Sequence, residues 1–306
     1  MKKLSIIIPV YCNELNLNPL YEDLKEKVLI RPDISFEIIM VDDGSNDNSW
    51  AAIKDLIKKD KRIKGIKLSK NFGSHAAILC GLSNSSGDCA VIKAADMQES
   101  SELLLQMYDE WLKGYNVVLA VRKEREDRSL FSELYYTIVR KTALSNMAKH
   151  GFDIFLVDKK VVDVLDKLDE KNSAITGQIL WSGFKTKQIL YTRKKREIGK
   201  SKLTLKKKTR LVMDTMFSFS TLPVSLITCV GVISTMFTFI YSLVVIISKL
   251  NNKIPVEGYT TLLVSQLFSF GVIMLTLGIL GNYLWRIFDS SRNRPVYIVE
   301  EENLND

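Results

Sequence analysis

Two long uncharged stretches near the carboxyl end constrain the fold of this chain most strongly. Residues 222–248 and residues 260–283 contain no Asp, Glu, Lys or Arg. A helix of about 20 apolar residues crosses a bilayer, so each stretch is long enough to span a membrane. We therefore expect two transmembrane helices within residues 222–288, joined as a hairpin.

Positive charge lies on the flanks of both stretches. The chain carries a net charge of +8, and residues 193–210 contain ten Lys or Arg and one acidic residue. Three arginines follow the second stretch: Arg286, Arg292 and Arg294. The positive-inside rule then predicts that both termini, including a tail at 289–306, lie in the cytosol.

The basic run has three interpretations: a juxtamembrane anchor, a nucleic-acid patch or a solvated face. Its position directly before the first apolar stretch favours attraction to anionic lipid head groups. No motif is typical of a nucleic-acid-binding module, so no nucleic-acid partner is expected. Residues 203–221 mix basic and apolar side chains, which predicts an amphipathic helix on the membrane surface. A soluble helix packed under the domain is the alternative.

Residues 1–202 have the pattern of a soluble domain in which strands and helices alternate. The apolar runs that predict strands lie at 4–10, 36–41, 63–68, 89–93 and 117–121. Their alternation with helical patterns indicates βαβ units and a mainly parallel sheet covered on both faces. The four cysteines show no CxxC spacing and there are two histidines. Neither a disulfide framework nor a zinc site is therefore expected.

Polar residues follow the ends of four predicted strands. Glu14 comes after the first strand, and Asp42 and Asp43 come after the second. Lys70 follows the third strand, and Asp96 follows the fourth. Because ligands bind at the carboxyl ends of parallel strands, these clusters predict one shared site.

Six motifs occur along the chain in an order known from one family. They are IIIPVY at 6–11, VDDGSND at 41–47, KNFG at 70–73, ADMQE at 95–99, GKSK at 199–202 and FSFSTLP at 217–223. With these motifs the chain resembles family 2 glycosyltransferases of the GT-A fold. Together with the two-helix tail, it is similar to the polyprenyl-phosphate glycosyltransferases, relatives of dolichyl-phosphate mannose synthase. The resemblance covers nearly the whole chain.

The resemblance implies a nucleotide-sugar donor and favours a uridine diphosphate sugar. By resemblance, Asp42 accepts a hydrogen bond from the ring N–H of the base. Three further residues would line the base and ribose pocket: Pro9, Tyr11 and Glu14. Asp43 would contribute to the same pocket, although its place before Gly-Ser is equally typical of a turn and a helix N-cap.

Cationic residues that would contact the donor are predicted at two places. Lys70 would neutralise phosphate charge, or it is a surface lysine. Residues 196–202 resemble the donor-closing segment of the family, in which Arg196, Ser201 and Lys202 would bind the donor. The same residues also belong to the predicted membrane anchor, and both roles can hold together.

The metal site of the family is altered in this chain. The family binds a divalent cation with an Asp-x-Asp motif after the fourth strand, and Ala94 stands here for the first aspartate. Asp96 keeps the second carboxylate and Gln98 offers an amide oxygen. Hard cations take oxygen ligands and use water and substrate phosphates for the rest. By resemblance we expect Mg²⁺ or Mn²⁺ on Asp96 and Gln98, with Asp96 essential for catalysis.

Two further residues are predicted to serve the acceptor. Arg122 ends the fifth strand, and its guanidinium suits an acceptor phosphate. Asp153 matches an acid of the family, whereas Phe155 stands in place of its arginine. In relatives with hydroxyl acceptors this acid is a general base, but a lipid phosphate is already anionic. Asp153 is therefore expected to position the acceptor or metal, with an N-cap or ion-pair role as the alternative.

The resemblance implies an inverting glycosyltransferase of the bacterial inner (plasma) membrane. It would transfer sugar at the cytosolic face to a polyprenyl phosphate such as undecaprenyl phosphate, for modification of a cell-envelope glycan. One alternative is direct transfer to a hydroxyl of a lipid or lipid-linked glycan. Another is a catalytically degenerate membrane scaffold, which Ala94 favours. A homo-oligomer is expected from the family.

Overall fold

The computed structural model of the chain divides into two units. One contains Met1–Thr215 and Arg294–Asp306, and the other contains Met216–Asn293. The structure describes residues 1–123, 137, 139–141, 144, 146–148, 151–152, 154–168, 174–193, 222–250 and 258–303.

A single sheet forms the centre of the first unit. Within the described residues its eight strands are β1 (Lys2–Val10), β2 (Ile34–Asp42), β3 (Ile63–Leu68), β4 (Cys89–Ile92), β5 (Val117–Arg122), β6 (Ile154–Asp158), β7 (Thr186–Tyr191) and β8 (Val299–Asn303). Their order is β7-β5-β6-β4-β1-β2-β3-β8. β6 and β8 run antiparallel to their neighbours, and the other strands are parallel. The predicted mainly parallel sheet is confirmed.

Helices connect the strands and cover both faces of the sheet. They are α1 (Glu14–Lys27), α2 (Ser49–Lys59), α3 (Ser74–Ser83), α4 (Glu102–Leu112), α5 (Lys159–Leu165) and α6 (Ile175–Trp181). On one face, Leu24 of α1, Ile53 of α2 and Met107 of α4 share a core with alternate residues of β1. On the other face α3 packs so closely that Gly81 lies against Ile7. Burial on both faces explains why β1 and β2 are continuous apolar runs.

The sequence predicts β1 to β5 to within two residues at each end but does not predict the other three strands. β8 has the acidic sequence VEEEN, which has little intrinsic preference for a strand. Tertiary contacts hold it: the indole N–H of Trp50 donates to Glu301 at 2.7 Å, and Lys67 pairs with Glu300 at 2.9 Å. Residues that the sequence places in a tail therefore form the last strand of the sheet.

The second unit contains two helices in its described part, α7 (Leu222–Leu250) and α8 (Tyr259–Ser291). Both carry exposed large apolar side chains, such as Phe237 at 70% and Leu262 at 69% exposure. Among the described residues, one segment, Phe268–Ser291, is long and apolar enough to cross a membrane, so the pair of transmembrane helices stays a prediction. The amphipathic helix predicted at 203–221 lies outside the described residues.

Candidate active site

The carboxyl ends of the parallel strands lie along one side of the sheet, which we call the carboxyl edge. β6 is antiparallel to β4 and β5, so its first residue lies at this edge as well. The predicted clusters after the first four strands are therefore brought to one edge, where ligands of parallel α/β sheets bind. Sequence positions separated by more than eighty residues become neighbours in this way, as Ile7 and Ile92 do in the pairing of β1 with β4.

Asp42, the last residue of β2, has a fully buried side chain. Its Oδ1 accepts a hydrogen bond from the Ser45 N–H at 3.2 Å, while its buried Oδ2 has no hydrogen-bond partner among the described residues. Burial raises the pKa of Asp42 above its ordinary value, and the hydrogen bonds from Ser45 oppose the rise only in part. A buried acceptor without a donor is costly, so Oδ2 is suited to receive an N–H from a ligand.

Asp43 holds the loop that follows β3. Its Oδ1 accepts the Phe72 N–H at 2.7 Å and its Oδ2 accepts the Gly73 N–H at 2.9 Å. Gly44 has a φ of +64°, and a Cβ at this position would lie 2.4 Å from the backbone of Lys70, so this turn requires glycine. Asp43 therefore stabilises the loop after β3, and Asn48, not Asp43, precedes the next helix as its N-cap. The contact of Asp43 with a donor stays a prediction. The exposed Lys70 places its Nζ 5.0 Å from the Phe72 ring centroid.

The end of β1 and the segment that leads into α1 carry three of the predicted donor contacts. Pro9 and Tyr11 are half-buried, and Pro9 pairs in register with the residue before Asp42. The carboxylate of Glu14 accepts hydrogen bonds from the backbone and side-chain N–H groups of Asn48 at 3.3 and 3.2 Å. Glu14 therefore joins the start of α1 to the start of α2, beside the end of β2.

A tight turn after β4 carries both predicted metal ligands. Met97 has a φ of +55°, a conformation that strains a residue other than glycine and that clusters at functional sites. The Gln98 N–H donates to Asp96 Oδ1 at 3.3 Å. The fully buried Lys93 donates to the backbone carbonyl of Glu99 at 2.5 Å. These contacts fix the turn from within the fold.

Arg193 lies in the same cluster, although along the chain it is only the first residue of the basic run. Its Nη2 is 2.5 Å from Gln98 Oε1 and 3.6 Å from Asp96 Oδ2. Its Nε is 3.6 Å from Glu99 Oε1. Arg193 comes two residues after β7, which pairs with β5 and ends at the carboxyl edge. The strand-end rule would have found it if residues 186–191 had been identified as a strand.

One oxygen of Asp96 and one of Gln98 face the same guanidinium nitrogen of Arg193. The two side chains therefore present their oxygens to a single cationic group. A carboxylate and an amide oxygen are ligands that Mg²⁺ and Mn²⁺ accept, and the two residues fit such an ion. In the part of the chain that the structure describes, no three His, Cys, Asp or Glu side chains form a metal-binding group. An ion here would take its remaining oxygens from water and ligand phosphates.

Arg122, the last residue of β5, is half-buried beside Tyr191 of β7. Phe155, the aromatic residue in place of the family's arginine, is buried and meets Phe152 edge-on with ring centroids 6.2 Å apart. This departure from the motif therefore belongs to the core. Four predicted site residues lie outside the described residues: Asp153, Arg196, Ser201 and Lys202.

Known proteins resemble this chain over almost its full length. Residues 5–158 match the model for glycosyl transferase family 2. The chain is 35% identical over 301 residues to YkcC of Bacillus subtilis (strain 168), an uncharacterized glycosyltransferase, with 97% of this chain and 93% of the relative covered. It is 31% identical over 304 residues to the bactoprenol glucosyl transferase of Shigella phage SfV, with 98% and 99% covered.

Among solved structures, glucosyl-3-phosphoglycerate synthase from Mycobacterium tuberculosis aligns with a TM-score of 0.51 and 14% identity, over 71% of this chain and 79% of that one. At this identity the likeness concerns the fold alone, and it agrees with the predicted GT-A type of α/β sheet. The family match covers half of the chain, and similar glycosyltransferases cover nearly all of it. The chain is therefore a glycosyltransferase that belongs to glycosyl transferase family 2.

Proposed function

We propose that this glycosyltransferase moves a sugar from a UDP-sugar to a polyprenyl phosphate, with inversion at the anomeric carbon. The acceptor is supported by the similarity to the phage bactoprenol glucosyl transferase, which extends over 98% of this chain. The donor is supported by Asp42, the observation on which the proposal depends most. Its buried Oδ2 is an acceptor for the ring N–H of a uracil base at the carboxyl edge.

The donor would lie along the carboxyl edge, with its base near Asp42 and its diphosphate toward Asp96 and Gln98. Pro9 and Tyr11 would line the base and ribose pocket. A divalent cation held by Asp96 and Gln98 would offset the negative charge that develops on the departing diphosphate. The distant Mycobacterium tuberculosis synthase was crystallised with Mn²⁺ and UDP, so Mn²⁺ and Mg²⁺ are the two ions to test.

The acceptor phosphate would bind at Arg122, whose guanidinium offers two parallel donors to phosphate oxygens. One phosphate oxygen attacks the anomeric carbon while the bond from that carbon to the UDP oxygen breaks, and a β-linked lipid phosphate sugar forms. A lipid phosphate is anionic at neutral pH, so the step needs no general base. Asp153 would then position the acceptor. If Asp153→Asn abolished turnover and kept donor binding, a hydroxyl acceptor would be favoured instead.

The membrane arrangement belongs to the same proposal. α7 and α8 have 29 and 33 residues, so each is longer than the roughly 20 residues that span a bilayer. We propose that both helices cross the membrane with the termini in the cytosol. Basic residues precede the first helix and follow the second, and positively charged flanks stay on the cytosolic side. Arg196, Ser201 and Lys202 would close over the donor near the lipid head groups. Self-association as a homo-oligomer is also proposed, by analogy with the family.

The test is transfer of label from a panel of nucleotide-sugars to undecaprenyl phosphate by the full chain in detergent or membranes, followed by lipid extraction. Labelled lipid is expected with a UDP-sugar and Mg²⁺ or Mn²⁺, and Asp96→Ala should abolish it. Unchanged turnover of Asp96→Ala would overturn the site assignment. Absence of transfer from every donor, together with intact UDP binding, would favour the scaffold alternative.

A further inference from the structure

Arg193 lies between the oxygens that a divalent cation would use. Its side chain is 27% exposed, whereas those of Asp96 and Glu99 are 12% and 1% exposed. The guanidinium contacts Gln98 Oε1 at 2.5 Å and reaches both carboxylates at 3.6 Å. It therefore acts as the counter-ion of this acidic turn from a position that is largely shielded from water.

We propose that Arg193 keeps the cation site closed until a nucleoside diphosphate arrives, so that the metal enters only together with the nucleotide. This inference rests on the proposed function, because it takes the same turn as the place of the diphosphate. Arg193 is a positioning residue here: it acts on the metal ligands and on the order of binding, and it takes no part in the chemical step.

The charges around the turn explain why a lone cation would bind poorly. Asp96 and Glu99 contribute two negative charges, and Ala94 contributes none where the family has an aspartate. Arg193 offsets one of the two, and the buried amino group of Lys93 lies beside Glu99 in the same turn. The amide oxygen of Gln98 is already used by the guanidinium. A divalent cation that arrives alone must sit beside a like charge in a partly buried place, where repulsion is less screened than in water.

A nucleoside diphosphate changes this balance because it brings its own negative charge and oxygens. The guanidinium binds phosphate oxygens as well as carboxylates. Arg193 can therefore give up its hydrogen bond to Gln98 and bind the diphosphate instead. The oxygens of Asp96 and Gln98 then become available to the cation. Binding of metal and nucleotide should consequently be cooperative, and the coupling must be reciprocal.

The experiment measures Mn²⁺ binding to the full chain in detergent by the electron paramagnetic resonance signal of free Mn²⁺, with and without UDP. Arg193→Gln and Arg193→Met both remove the charge, and two variants guard against one that fails to fold. Lys185→Gln is the matched control, because Lys185 is an exposed residue at the amino end of β7, far along the strand from the carboxyl edge. Thermal unfolding confirms that each variant is folded.

Without UDP, both Arg193 variants are expected to bind Mn²⁺ more tightly than the unchanged protein by about tenfold or more. Saturating UDP should reduce this difference to less than about threefold, because the nucleotide displaces the guanidinium anyway. Arg193 variants that bind Mn²⁺ no more tightly than Lys185→Gln would overturn the inference. The assay contains no nucleotide-sugar and no lipid acceptor. The Mn²⁺ result can therefore contradict the role of Arg193 while transfer to a lipid phosphate succeeds, and it can support that role while such transfer fails.

Discussion

Exchanging Asp42 for Asn should weaken nucleotide binding and leave the fold as stable as before. The Asp42 carboxylate has two acceptor oxygens, one used by the Ser45 N–H and the other buried without a partner among the described residues. An amide keeps a single oxygen. In Asp42→Asn the Ser45 N–H and the base N–H compete for it, and the amide NH₂ faces whichever donor loses.

The lost bond is a hydrogen bond to a charged acceptor, worth about 2–3 kcal/mol. This corresponds to a Kd for UDP that is roughly 30- to 150-fold higher. The same substitution is not expected to lower the free energy of unfolding. Burial raises the pKa of Asp42, so ionisation of this group costs folding free energy at neutral pH. The neutral Asn removes that cost, and the free energy of unfolding should stay the same or rise.

Asp43→Asn is the matched comparison in the next residue. Asp43 accepts two backbone N–H groups, from Phe72 and Gly73, and an amide can accept only one of them. The other N–H is left facing a donor, at a cost of about 1–3 kcal/mol in unfolding free energy. Titration calorimetry with UDP and thermal unfolding separate the two effects. A destabilised Asp42→Asn variant with an unchanged Kd for UDP would contradict the assignment of Asp42 to the base.

Three further predictions concern stability, the acceptor and the last strand. Burial alone would raise the pKa of Glu37, but hydrogen bonds from Ser5 and Ser86 outweigh it and lower the pKa to about 2. Glu37→Gln should lose up to about 3 kcal/mol of unfolding free energy above pH 4.5. In the unchanged protein this stability should fade as pH drops from 4.5 toward about 2, as denaturant titrations at several pH values would show; a flat profile contradicts it. Arg122→Gln should raise KM for the lipid phosphate about tenfold or more with the Kd for UDP unchanged, since the charge-assisted contacts of the guanidinium to the phosphate are lost. An unchanged KM would remove Arg122 from the acceptor site. Deletion of residues 299–306 should speed hydrogen exchange at the amides of β3, and equal exchange rates would mean that β8 does not protect that edge.

Asp42 and the first five strands could be predicted because their signals are local. A buried parallel strand is a run of apolar residues, and the polar residue that ends it marks the carboxyl edge. Asp42 and Asp96 are both found in this way. The family resemblance assigns a function to Asp42 and Asp96, whereas the contacts that these two side chains make are seen only in the folded structure.

The place of Arg193 could not be predicted, because its neighbours in sequence and in space differ. Along the chain it begins a run of basic residues, which is typical of a solvated or membrane-facing segment. In the fold, pairing of β7 with β5 brings it to the turn after β4, almost one hundred residues earlier in the chain. β8 could not be predicted for the same reason. Its acidic residues are stabilised in a strand by contacts distant in sequence, from Trp50 to Glu301 and from Lys67 to Glu300.

The proposed function requires that sugar passes to the phosphate of a polyprenyl lipid. The most direct measurement offers the full chain a UDP-sugar that it accepts, together with equal amounts of undecaprenyl phosphate and undecaprenol, and identifies the labelled lipid by mass spectrometry and its anomeric linkage by NMR. We expect label on undecaprenyl phosphate alone, in β linkage. Label on undecaprenol or on another lipid hydroxyl, or an α-linked product, would contradict it.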